Sequence, residues 1–187
     1  MPKLTVIIAS TRPGRQGLAI GEWFAAYAAQ DGRFDVSTVD LAELDLPLMD
    51  EPNHPRMARY EHDHTKAWSA TVAGSDAFVF VTPEYNHSFP APLKNAIDYL
   101  HNEWAYKPVG FVSYGGVAAG TRAVQALKPV VSVLKGVPVT EAVSIPFFSQ
   151  FIDDDGVVQA NEVMTQGATA MLAELERIEA SLRPLRS

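Results

Sequence analysis

Five apolar, β-branched runs recur along the chain, at Leu4 to Ala9, Phe34 to Val39, Ala77 to Thr82, Val109 to Ser113 and Val137 to Ile145. Each predicts a strand, and the longer stretches between them carry helical spacing instead. Ile20, Trp23, Phe24, Tyr27 and Ala28 fall three and four apart, as do Leu93, Ala96, Ile97 and Leu100, so both stripes are expected to face the sheet. Met164, Ala168, Met171, Leu172, Leu175, Ile178 and Leu182 repeat the pattern with charged residues between them and predict a closing helix. Gly32, Gly74 and Gly136 each stand between a helical pattern and a strand, where a left-handed helix stop is expected. Pro129 lies inside the pattern Thr121 to Lys135 and is expected to kink or restart that helix, because proline removes a backbone donor and crowds the preceding turn.

Strands alternating with helices demand right-handed crossovers onto a parallel sheet. Five strands then suit an α/β, three-layer, doubly wound domain of strand order 2-1-3-4-5 with helices on both faces. A length of 187 residues fits one domain, and neither a linker nor a repeat interrupts it, so residues 1–187 are expected to form a single unit. In open parallel sheets ligands bind outside the carboxyl ends of the strands, which directs attention to the segments after Ala9, Thr82 and Ser113.

The first of these, Ser10-Thr11-Arg12-Pro13-Gly14-Arg15-Gln16-Gly17, joins a strand to a helix with two hydroxyls, two guanidinium groups and two glycines. A helix start offers free N–H groups and partial positive charge, and arginine forks match phosphate oxygens, so this loop reads as an anion site; an ordinary solvated turn is the plainer alternative. The nucleotide-triphosphate loop G-x-x-x-x-G-K-[ST] and the dinucleotide fingerprint G-x-G-x-x-G are both absent. The second segment, from Thr82 to Asn95, contains Pro83, Pro90 and Pro92 with Tyr85, Asn86 and Phe89, a stiff backbone able to face a planar ligand. Ser113-Tyr114-Gly115-Gly116 follows the fourth strand, its glycines leaving room for a ring against the backbone.

These residues resemble those of the NADPH-dependent FMN reductase family of flavodoxin-like proteins. The Ser10-x-Arg12 loop, Pro83-Glu84-Tyr85-Asn86 with Ser88 and Pro90, Leu93 to Asp98, and the Gly115-Gly116 pair stand in family order. The resemblance implies that Ser10, Arg12, Arg15 and Gln16, with Gly17, hold the phosphate of bound FMN. It implies that Pro83, Glu84, Tyr85 and Asn86 line the flavin ring, and that Ser113, Tyr114, Gly115 and Gly116 close its other edge. Many members carry a hydroxyl residue where this chain has Gln16, whose amide can also donate to phosphate. The resemblance further implies NADPH or NADH as electron donor, a small-molecule electron acceptor, and a homodimer or tetramer to which Phe89, Tyr99, Trp104 and Tyr106 could contribute.

Composition narrows the remaining classes. The absence of cysteine removes disulfides and thiolate chemistry and leans toward a reducing, cytoplasmic setting, and the amino end lacks the pattern of a secretory leader. A net charge of -7 argues against nucleic acid, and no apolar run reaches the ~20 residues of a membrane span. His62, Asp63 and His64 are too closely spaced for a metal pair on a helix, so no metal is expected. No side chain is assigned a catalytic role, since hydride chemistry would belong to the flavin. Two rivals stay in view: an electron carrier of the same fold without nicotinamide activity, and a serine hydrolase, for which the G-x-S-x-G elbow is missing.

Overall fold

One parallel sheet runs through the computed structural model, which describes residues 1–186. Its strands are β1 (Lys3–Ile8), β2 (Asp35–Asp40), β3 (Ala77–Pro83), β4 (Pro108–Gly115) and β5 (Val137–Pro146), ordered β2-β1-β3-β4-β5. The helices are α1 (Gly17–Asp31), α2 (Leu41–Leu44), α3 (Asp63–Ala73), α4 (Ala91–Asp98), α5 (Thr121–Val133) and α6 (Glu162–Leu182). Because side chains alternate across a strand, β3 sends Val79 and Val81 to one face and Phe78 and Phe80 to the other. On the first face Ile20 and Phe24 of α1 and Met171, Leu172 and Leu175 of α6 cover the sheet; on the second, Trp68, Leu93, Ile97 and Leu127 do. Both faces are therefore buried, which is why the central strands read as unbroken apolar runs.

Several expectations are corrected. Gly32 does end α1 in the left-handed region (φ 81°), but Gly74 ends α3 at φ -74°. After α5 the left-handed residue is Lys135 (φ 62°), and Gly136 follows it with its N–H on the Val131 carbonyl, 3.1 Å away. A Cβ at Gly136 would lie 2.7 Å from Val131 Cγ1, so close packing rather than a positive φ excludes a side chain there. α5 runs through Pro129 as one helix; the carbonyl deprived of a partner belongs to exposed Gln125, where water can serve it. Tyr99 and Trp104 are core residues rather than interface aromatics: Trp104 packs on Phe78 at 4.9 Å between ring centroids, and the Tyr99 hydroxyl donates to Asp50 Oδ1 (2.9 Å). Lys94 and Asp98 form an exposed pair at 2.6 Å one helical turn apart.

The amino-terminal edge of the sheet is closed by an ionic cluster. Arg186 donates to the Asp76 carbonyl (2.9 Å) and carboxylate (3.2 Å) and also binds Glu179, which Arg183 holds from the other side at 2.6 Å. Burial works against the charge on Glu179, but the two arginines hold its carboxyl below the usual range. Nearby, buried Lys107 donates to the carbonyls of Val72 (2.7 Å) and Ala73 (3.1 Å), the last turn of α3. Loss of solvent, helped by Arg186, pushes the Lys107 ammonium down to about 8. Among the described residues no helix is long and apolar enough to cross a membrane, and none of the acidic, histidine and cysteine groupings could hold a metal ion.

Candidate active site at the carboxyl edge of the sheet

The loop after β1 is divided into a clamped half and an open half. Arg15 turns back, forks onto both carboxylate oxygens of Asp40 at the end of β2, and donates to the Ser10 carbonyl at 2.6 Å. Burial opposes the charge on Asp40, yet the Arg15 fork and the Ala42 amide together hold its carboxyl below the usual range. The Arg12 guanidinium, by contrast, is exposed and makes no hydrogen bond or ion pair among the described residues. Gln16 occupies the N-cap of α1 without a side-chain bond to the helix, and the first turn contains no acid. The positive end of α1 is thus uncapped and flanked by a guanidinium with no protein partner, an arrangement that favours an anion.

Behind this loop, the Tyr114 phenol fills the space under the helix start. A Cβ at Gly17 would lie 2.1 Å from Tyr114 Oη and 3.3 Å from Ser10 Cβ, so glycine is required there by the close approach of a protein side chain. Burial pushes the Tyr114 phenol up, which keeps it neutral.

The loop after β3 begins with Pro83 in the strand and then folds into a two-residue hairpin in which Tyr85 and Ser88 exchange backbone bonds of 2.8 and 3.0 Å. Both central residues are left-handed, Asn86 at φ 51° and His87 at φ 67°, as in the mirror-image turns of tight hairpins. Asparagine adopts this geometry readily; histidine less so, and such strain concentrates at binding sites. The Tyr85 hydroxyl and Ser10 Oγ are hydrogen-bonded at 3.1 Å, tying this loop to the first. Glu84 crosses the other way to Arg122, near the start of α5, accepting from its backbone N–H (3.2 Å) and its guanidinium. Between the β3 and β4 loops lies a cleft of about 390 Å³, lined by Glu84, Asn86, His87, Gly116, Val117 and Arg122 among others. Its floor is backbone: nothing stands within 4 Å of where a Cβ at Gly116 would be, and the Gly116 carbonyl anchors the β5 loop through the Phe147 N–H (3.3 Å). A second cleft of about 380 Å³ opens between Thr11, α2 and the start of α4, so the carboxyl edge is concave on both sides of β3.

The family model described as NADPH-dependent FMN reductase matches residues 2–150, from β1 to the end of β5 and the turn beyond it. The chain belongs to this family. With that membership goes its class as an oxidoreductase that uses FMN and a reduced nicotinamide. Among FMN reductase relatives it is 44% identical over 149 residues to the NAD(P)H-dependent FMN reductase C4B3.06c of Schizosaccharomyces pombe, a match spanning 78% of this chain and 74% of that one. It is 34% identical over 115 residues to a 2-hydroxy-1,4-benzoquinone reductase of Burkholderia sp, covering 61% and 55% of the two chains. In three dimensions it is similar to FerB, a flavoenzyme NAD(P)H:(acceptor) oxidoreductase of Paracoccus denitrificans, with a TM-score of 0.72, 22% identity and 98% coverage of both chains. At that identity the likeness establishes the shared flavodoxin-like fold.

The residues of this family member fit FMN on their own geometry. An uncapped helix end with unpaired Arg12 suits a phosphate, and the adjoining cleft has the open backbone floor at Gly116 that a flat ring needs. The expected residues divide unevenly, however. Arg12, Gln16, Asn86 and Gly116 face open space at the carboxyl edge. Ser10, Tyr85 and Glu84 sit there too but already hold each other or Arg122, so Ser10 and Glu84 offer mainly backbone. Arg15 is committed to Asp40, Gly17 to Tyr114, and Pro83 is buried in β3. Ser113 and Tyr114 belong to β4, which runs two residues past the apolar run Val109 to Ser113: Ser113 is wholly buried with its Oγ 3.4 Å from Ser144 Oγ, and Tyr114 lies beneath the loop after β1 and the start of α1. Gly115 ends the strand in close contact with Gly120, 3.2 Å from a Cβ there to the Gly120 nitrogen. Sequence reasoning missed Asp40, Arg122 and Phe148, the last stacked edge-on against Tyr114 at 5.1 Å. Only Asp40 left a signal, an acid ending an apolar strand just before another apolar residue.

Proposed function

We propose that this chain is an FMN-dependent NAD(P)H oxidoreductase that binds the FMN phosphate at the Arg12 side of the α1 amino terminus and the flavin ring over the cleft between the β3 and β4 loops. The observation that carries the reading is the uncapped start of α1 beside a guanidinium with no protein partner. Bound there, the flavin would supply the redox chemistry, taking hydride from nicotinamide and passing electrons to an acceptor. The chain's own part is to bind, orient and leave access. Arg12 and the amides of the first turn of α1 attract the phosphate dianion, and Gln16 adds an amide donor. Arg15 and Asp40 fix the loop so that little ordering remains to be done when the ligand arrives. The Tyr85 hydroxyl, bonded to Ser10, sets the distance between phosphate site and ring site. Backbone of the Asn86–His87 hairpin and of Gly116 lies on either side of the cleft, and the outer face stays open for donor and acceptor in turn. No titratable side chain is required by this division of labour.

The acceptor class is inferred to be a small oxidised organic compound of the quinone or azo type, in keeping with relatives named as quinone reductases and azoreductases. A reducing cytoplasmic setting accords with the absence of cysteine. Self-association as a dimer or tetramer is in keeping with Leu48 and Met57, two large apolar side chains left exposed. The test is a visible spectrum of the purified protein with FMN, before and after NADPH under anaerobic conditions. Flavin bands that bleach rapidly are expected; flavin that binds but does not bleach with either nucleotide would favour the electron carrier.

A further inference from the structure

We propose that Arg122 is a positioning residue: by gripping Glu84 it locks together the two loops that cup the flavin ring. The proposal rests on the FMN site described above and goes beyond it, because Arg122 lies outside every motif that identifies the family in this sequence.

Glu84 follows β3 and Arg122 is the second residue of α5, which follows β4. Their contact therefore bridges the two sides of the cleft. It is made twice, once through the Arg122 backbone N–H to Oε2 at 3.2 Å and once through the guanidinium to Oε1. The Glu84 side chain is only 8% exposed whereas that of Arg122 is 48% exposed, so the acid is packed into the loop and the arginine closes over it from outside. α5 has no cap of its own: Gly120 at the N-cap brings no side chain, and the first turn contains no acid. Glu84 supplies that missing negative charge from a neighbouring loop, where a helix amino terminus favours it.

What the pair holds is strained. Immediately after Glu84 the chain passes through Asn86 and His87, both left-handed and both on the cleft wall. Two side-chain anchors restrain that hairpin, the Tyr85 bond to Ser10 on one side and the Glu84 bond to Arg122 on the other. Neither Glu84 nor Arg122 belongs to a hydrophobic core cluster. Breaking their contact should therefore loosen the cleft walls while the fold stays in place.

The experiment compares wild type with Arg122→Gln, Arg122→Lys, Glu84→Gln and the Arg122→Gln/Glu84→Gln double variant. FMN dissociation constants, the visible circular dichroism of bound FMN, thermal midpoints of apo-protein, and KM and kcat with NADPH are measured for each. Expected for Arg122→Gln is an FMN affinity about tenfold weaker with a reduced dichroic band and an apo midpoint close to wild type. Arg122→Lys should recover part of both, since it keeps the charge without the fork. The double variant should be no worse than either single one, the mark of a pair acting as a unit. If Arg122→Gln proves insoluble, Glu84→Gln, whose side-chain amide oxygen can still accept from the Arg122 backbone N–H, tests the same contact. Wild-type affinity and dichroism in Arg122→Gln overturn the proposal and leave the FMN site standing. So does a rise confined to the NADPH KM, which would make Arg122 a direct contact for the donor. Wild-type protein that takes up no FMN overturns the site itself.

Discussion

Gly17→Ala places a methyl group where the Tyr114 phenol already is. Away from the clash the change would be favourable: Gly17 is the first residue of α1, and Gly to Ala at a compatible helical position gains about 0.4–1 kcal/mol through the unfolded chain. The structure sets against this a Cβ 2.1 Å from Tyr114 Oη, which no real contact sustains. Tyr114 is buried, packed edge-on to Phe148, and cannot swing outward, so either it or the start of α1 must move. Overpacking of this kind costs about 1–3 kcal/mol, leaving a net loss of about 1–2 kcal/mol. For a domain of this size that lowers the thermal midpoint by roughly 3–6 °C. Tyr114→Phe removes the offending oxygen and alone should cost about 1 kcal/mol for the lost hydroxyl interactions. In the double variant the nearest ring atom is the former Cζ at 3.0 Å, so relief is partial and the two changes should couple favourably by about 1 kcal/mol. Urea denaturation of the four proteins measures the coupling, and FMN titration should show weakened binding in Gly17→Ala that Tyr114→Phe partly restores. Simple additivity, or a Gly17→Ala protein more stable than wild type, would refute the account of why glycine stands at the head of α1.

Three further outcomes follow from the same geometry. Arg12→Ala should lower FMN affinity at least tenfold with helix content unchanged by far-ultraviolet dichroism, because the Arg12 guanidinium has no protein partner to lose and is assigned only to the proposed phosphate site; Arg15→Ala should instead lower stability as well as affinity. Asp40, held below the ordinary carboxylate range by Arg15, contributes stability that is present above about pH 4 and lost as pH falls through its lower folded value. Asp40→Asn should cost about 1–3 kcal/mol at neutral pH and flatten that acid limb in chemical denaturation. Lys107 titrates near 8 in the fold against 10.5 when unfolded, so between these values the unfolded chain holds the extra proton and stability rises with pH. The gain is about 1 kcal/mol between roughly pH 8 and 9 and should vanish in Lys107→Met, as read from urea midpoints at the two pH values.

The sheet was legible because both its faces are buried. Val79, Val81, Phe78 and Phe80 all point inward, so no polar alternation disguises the strand, and the glycines and prolines between runs mark the crossovers. What escaped was any relation between residues far apart in sequence. Arg15 and Arg12 look equivalent along the chain, and only the arrival of Asp40 from β2 separates a clamp from a free cation. Tyr114 followed an apolar run and read as loop, whereas the register of β4 against β5 carries the strand on to Gly115 and swings the phenol under α1. Tyr99 and Trp104, conspicuous aromatics with no periodic pattern around them, proved to be core. Of the helix stops Gly32 alone is left-handed as expected; at position 136 a glycine before a strand marks the place, but steric contact with Val131 rather than dihedral need decides what stands there.

The ionic cluster of Asp76, Glu179, Arg183 and Arg186 and the buried Lys107 all lie at the amino-terminal rim of the strands, a full strand length from the loops after β1, β3 and β4 where FMN binding is proposed. Durability and redox function are therefore adjustable by separate dials in this chain. Substitutions at the lower rim can harden or soften the protein without retuning how the cofactor is held, which makes that rim the natural place to attach, immobilise or thermostabilise the molecule.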